Sequence, residues 1–127
     1  MPIPFALDAR RALSVGALLC LGACQDGKPQ SADLQKAETL RPADARLAEK
    51  YERSCLGCHG AAASQAPLTA FAAAWAPRLR QGMPVLLAHA RDGFKTMPAM
   101  GYCNDCSDEE LQRLIVFMAG AAAGARS

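Results

Sequence analysis

Apolar positions recur at helical spacing through most of the chain. Leu47, Tyr51, Cys55 and Cys58 fall at i, i+4, i+8 and i+11. That is one stripe of a helix beginning near Ala43, carrying two thiols toward the core and ending at Gly60. Residues 61–67 read as a loop closing at Pro67, and an Ala-rich stretch then leads to Trp75 and Pro77. Leu79, Val85, Leu86 and Leu87 predict short helices broken at Gly82 and Pro84 and stopping near Gly93. Residues 94–106 carry Pro98, Gly101 and Asn104 and read as loop. A last helix starts at Ser107, where Ser107-Asp108-Glu109-Glu110 has capping-box spacing and puts acids on the positive helix end. Leu111, Leu114, Ile115 and Met118 mark its buried face. Strand-like alternation and internal repeats are missing, so the expected fold is all-α, three to five short helices.

The N-terminal pattern differs. Arg10 and Arg11 precede an apolar run over residues 12–21, too short to span a bilayer and suited to the apolar region of a secretory signal. The run closes on Leu21-Gly22-Ala23-Cys24. This resembles the lipobox of bacterial lipoproteins, which implies cleavage before Cys24 and acylation of that residue. Gln25 rather than Asp after it implies retention at the outer membrane. An ordinary signal peptide with a cysteine near its end is the plainer alternative, and Arg10-Arg11 lacks the usual context of a twin-arginine signal. Residues 25–40 are polar, with Gly27, Pro29 and Ser31. They read as a flexible tether with a typical end-to-end distance of roughly 20–24 Å. The division is thus 1–23 signal peptide, 24–41 tether and 42–127 folded domain.

Composition adds three constraints. The 127 residues allow one domain. Hydrophobic content is 51%, but alanine supplies much of it and aromatics only 6%, so the core is thin and gains from a staple. A formal charge of +2 without a Lys/Arg run argues against a nucleic-acid partner. Export to the periplasm permits disulfides among the six cysteines, which fall into three close pairs.

Cys55-Leu56-Gly57-Cys58-His59 is C-x-x-C-H, the covalent attachment motif of haem c. Each thiol adds across one haem vinyl, and two intervening residues match the separation of those vinyls. The next histidine is then held beneath the iron. Other readings fit less well. A thioredoxin-type C-x-x-C wants a strand before it. A zinc site with Cys103 and Cys106 would need a longer separation than the usual ribbon. A plain disulfide leaves His59 unexplained. With Cys20 lost in the signal, Cys24 acylated and two thiols on haem, Cys103 and Cys106 most simply pair with each other, a catalytic disulfide being the alternative. The second axial ligand can come from methionine or histidine. His89 sits among alanines on a helix, and Met83 and Met118 have core contexts. Met97 and Met100 remain, in Thr96-Met97-Pro98-Ala99-Met100-Gly101, and Pro98 favours an extended backbone at Met97.

Residues from about 44 to 119 resemble class I cytochromes c of the short c-five type. The likeness is carried by Cys55-x-x-Cys58-His59-Gly60, Ala66-Pro67, Ala74-Trp75-Ala76-Pro77-Arg78, Met97-Pro98 and Cys103-x-x-Cys106-Ser107-Asp108. It implies a class I cytochrome c fold around one covalent haem, Met97 as distal ligand, and a Cys103–Cys106 disulfide. It also implies a hydrogen bond from the His59 ring to the Pro67 carbonyl. Trp75 and Arg78 are candidate donors to the haem propionates. The chain departs from the family where Ala70-Phe71 replaces a Gly-Asp pair and where Met100 replaces a lysine.

The function these readings imply is a periplasmic, lipid-anchored monohaem electron carrier with His59/Met97-ligated iron. Its partners would be redox proteins or respiratory or photosynthetic complexes, and the membrane through Cys24. Arg78, Arg80, Arg91 and Lys95 against Asp92 leave residues 78–95 at net +3, a candidate docking face or simply a solvated one. The alternative is a haem protein with a labile Met97 that works on peroxide or binds a diatomic gas, though no distal acid–base residue is evident.

Overall fold

The computed structural model describes residues 27–120; the signal peptide, Cys20 and Cys24 lie outside them. Six α-helices run in the order α1 (Ser31–Thr39), α2 (Ala45–Ser54), α3 (Leu56–His59), α4 (Ala72–Leu79), α5 (Met83–Asp92) and α6 (Asp108–Ala119). Short 3-10 turns cover Ala62–Ser64 and Ala99–Tyr102. Among the described residues there is no strand, only a single antiparallel bridge between Phe94 and Met97. The expected all-α architecture is therefore observed, with more helices among the described residues than the three to five expected.

The additional helices have identifiable causes. Residues 31–39, read from composition as part of a flexible tether, are helical instead. Gln30 and Asp33 close a reciprocal capping box, and Ala37 is completely buried. A small apolar residue at a contact leaves little trace in hydropathy, which is why the helix was missed. The expected single helix to Gly60 is divided at Cys55 (φ −107°, ψ −43°), which both ends α2 and starts the one-turn α3. The division turns Cys58 off the Leu47–Tyr51–Cys55 stripe, so Cys55 is buried and Cys58 is exposed, contrary to the expectation that both face the core. Pro84 does not break a helix. It occupies the first turn of α5, where its missing N–H costs nothing.

The remaining starts and stops follow the sequence closely. Asp44 caps α2 by accepting from the Arg46 and Leu47 amides, and its other oxygen meets Arg113 of α6 at 2.9 Å. Ser107 and Glu110 form the anticipated capping box of α6. Leu111, Leu114, Ile115 and Met118 are all buried, against Leu47 and Tyr51 of α2, Trp75 of α4 and Leu86 and Ala90 of α5. Cys103 and Cys106 are joined by a disulfide just before α6. Lys50 of α2 ties that region down, donating to the Asp105 carbonyl at 3.0 Å and to both Glu110 oxygens at 2.7 and 2.8 Å.

Candidate haem site

The C-x-x-C-H segment is positioned by backbone bonds that continue through the break at Cys55. The Cys55 amide donates to the Tyr51 carbonyl at 2.8 Å, and the His59 amide donates to the Cys55 carbonyl at 2.9 Å. Both motif cysteines are free thiols. Burial pushes the Cys55 thiol up to about 11. The Ser64 hydroxyl lies within hydrogen-bond reach of both the Cys58 and the Ala61 carbonyls and shares its one proton between them, folding the 3-10 turn back onto the motif.

Three consecutive loop residues then fix the histidine. The Pro67 carbonyl lies 2.8 Å from Nδ1 of His59. A carbonyl only accepts, so Nδ1 carries the proton and Nε2 is left with a lone pair for a metal. The Leu68 carbonyl accepts the indole N–H of Trp75 at 2.9 Å. Thr69 donates its amide to the His59 carbonyl at 2.8 Å, and its hydroxyl pairs with the Tyr51 hydroxyl at 2.9 Å. The His59 and Trp75 rings stack with centroids 6.1 Å apart. Burial holds the His59 pKa below its ordinary value, the Pro67 bond opposes this, and the Arg78 charge lowers it further. The ring is accordingly neutral, the protonation state that binds iron.

The methionine loop is set by its backbone. Phe94 and Met97 exchange amide–carbonyl bonds, both 3.0 Å, and the Gly101 amide donates to the Pro98 carbonyl at 3.0 Å. Met97 and Met100 are each half-buried and pack against the core that contains Trp75 and Cys55. His89 is not in this group; its ring stacks on Phe94 at 3.8 Å.

The structure thus gathers Cys55, His59, Pro67 and Trp75 around one core, with Met97 packed against it. Trp75 differs from its expected role. An indole has one donor, and here it is used on the Leu68 carbonyl rather than facing a propionate. Arg78 gives one of its five N–H groups to the Ala74 carbonyl and retains the others. Tyr51, Ser64 and Thr69 were missed as site residues. The Ser64 and Thr69 contacts are non-periodic loop contacts without a sequence signature, whereas Tyr51 was visible as core but its hydroxyl partner was not. The donor set fits a c-type haem: two free thiols, an adjacent histidine with Nε2 available, and a thioether loop on the same core.

Comparison with known proteins agrees. The family model described as cytochrome C oxidase, cbb3-type, subunit III matches residues 42–118, more than half of the chain. Cytochrome c5 of Ectopseudomonas mendocina is 41% identical over 70 residues, 54% of this chain and 80% of the relative. Cytochrome c5 of Azotobacter vinelandii is 41% identical over 68 residues, covering 52% of this chain and 82% of its own length. The chain belongs to the class I c-type cytochromes. Cytochrome c-555 of Chlorobaculum tepidum is also similar, 35% identical over 74 residues, 55% of this chain and 68% of the relative. As a member of this family the cytochrome carries one covalent haem c with its iron, and it is an electron carrier rather than an enzyme. The peroxidase-like alternative falls with that assignment.

Proposed function

We propose that this cytochrome works in the periplasm, held to the outer membrane by lipid on Cys24. Cys55 and Cys58 would hold the haem, and His59 Nε2 and Met97 Sδ would ligate its iron. The haem supplies an iron that alternates between ferrous and ferric. The chain's own residues orient the ligands and keep the environment constant between the two states. The observation that carries this reading is the 2.8 Å bond from His59 Nδ1 to the Pro67 carbonyl, beside two free thiols. Such a bond fixes the tautomer and raises the basicity of the ligating nitrogen. Electrons would be exchanged with a redox protein or a respiratory or photosynthetic complex, and a thioether ligand would favour the reduced form relative to a second histidine.

Absorption spectra and redox titration of two variants test the ligand assignment. Met97→Ala should abolish the sulfur-to-iron charge-transfer band, lower the potential and admit exogenous ligands. Met100→Ala should leave all three nearly unchanged. The opposite pattern transfers the ligand to Met100; persistence of the band in both variants removes these methionines from the iron.

A further inference from the structure

Helix α1 lies outside the family match at residues 42–118, and it touches the haem-attachment turn through a few residues. Ala37 is buried to 0% exposure, and a Cβ on Gly60 would come within 3.4 Å of the Ala37 carbonyl. Leu34 and Glu38 line the seam with Leu56, Gly57 and Gly60. Arg41 staples the far end. It donates through Nη1 to the carbonyls of Glu38 (2.7 Å) and Leu40 (2.9 Å) and through Nε to Glu52 of α2 (2.5 Å). Its guanidinium carbon also sits 6.0 Å from the Tyr51 ring centroid.

From this docking we infer that the membrane leash ends at Gln30, the cap of α1, and holds the haem-attachment turn close to the bilayer. The inference rests on the reading of Cys24 as the acylated residue. Six residue steps separate Cys24 from Gln30, against sixteen to Leu40. Six steps span at most about 22 Å and sixteen at most about 58 Å. Docking α1 therefore cuts the maximum reach of the chain by more than half. Four to seven residues of α1 separate Gln30 from the seam, about 6–10 Å of helix. The haem-attachment turn is therefore kept on the order of 30 Å or less from the acylated residue.

The haem itself can report its height as a quencher. Lipidated, haem-loaded full chain would be reconstituted in phosphatidylethanolamine/phosphatidylglycerol vesicles carrying a headgroup-labelled fluorescent lipid. Three variants would be compared with wild type: a ten-residue Gly/Ser insertion between Asp26 and Gly27, Ala37→Asp, and Arg41→Ala. Wild type should quench strongly, and the insertion and Ala37→Asp should each lose about half of the quenching or more, with Arg41→Ala between. Unchanged spectra of the haem would show the domain intact; should Ala37→Asp not accumulate, the insertion and Arg41→Ala still decide. A vesicle-bound protein whose quenching ignores both lengthening and undocking overturns the short leash alone. Protein recovered soluble with an unmodified N-terminus overturns the anchor and the leash together.

Discussion

Replacing Tyr51 by phenylalanine removes a single oxygen from the most enclosed polar contact near the haem-attachment segment. Tyr51 is 0% exposed, Thr69 is 1% exposed, and their hydroxyls are 2.9 Å apart. The phenyl ring would keep its volume and its edge-on contact with Phe117, at 5.0 Å and 78°, so no cavity opens. What is lost is one buried hydrogen bond, and the Thr69 hydroxyl is left without that partner. Such an orphaned group costs about 1–3 kcal/mol, more than the net worth of the bond itself. Thr69→Val should cost a similar amount for the mirror-image reason. The double variant removes both polar groups and should cost less than the sum, with a coupling of about 1–2 kcal/mol. For a domain of this size each kcal/mol corresponds to roughly 4–8 °C in melting midpoint. Guanidinium and thermal melts of the haem-loaded protein, followed by far-ultraviolet circular dichroism, give all four corners of the cycle. Single variants indistinguishable from wild type, or a strictly additive double variant, would refute the claim that this pair holds the loop after His59.

Three further outcomes follow from the geometry. Ala70, where the family resemblance places glycine, has φ +61°; Ala70→Gly removes about 1–2 kcal/mol of left-handed strain against about 0.4–1 kcal/mol of added unfolded freedom. A net stabilisation of about 0.5–1 kcal/mol is expected in a denaturant melt, and destabilisation would contradict it. Gly93 has φ +88°, and a Cβ there would lie 3.1 Å from the Ala99 amide nitrogen and 3.2 Å from the Met97 carbonyl. Gly93→Ala should therefore cost about 1–3 kcal/mol and weaken the sulfur-to-iron band by displacing the Met97 turn; an unchanged band and melt would count against both the strain and the ligand. Hydrogen bonds from Lys50 and Arg53 hold the Glu110 and Asp105 carboxyls below their ordinary values of 4.5 and 3.8. Depressed folded-state values contribute stability that is complete above the unfolded values and lost as pH falls through the folded ones. The melting midpoint should thus be insensitive to these groups near neutrality and decline below about pH 4.5, with a shallower decline in Lys50→Met.

The sequence by itself determined the cofactor, the fold class and the final helix. Those features are local: C-x-x-C-H is set by the spacing of two thiols and a histidine, and α6 by a capping box followed by apolar residues at 3–4-residue spacing. It also singled out Met97-Pro98, because proline restricts the residue before it whatever the surroundings. Tertiary structure alone decided the features that depend on partners distant in the chain. The Trp75 indole meets the Leu68 carbonyl, and the Tyr51 hydroxyl meets Thr69, because the loop after His59 folds back on α2 and α4. Neither contact has a periodicity to announce it. Helix α1 was hidden for a related reason: nine mostly polar residues with a moderate helix tendency are marginal in isolation and persist through docking. Here one buried alanine sits against the haem-attachment turn, and an arginine holds the end in place. Hydropathy sums over side chains, and a single small residue at a contact adds little to that sum.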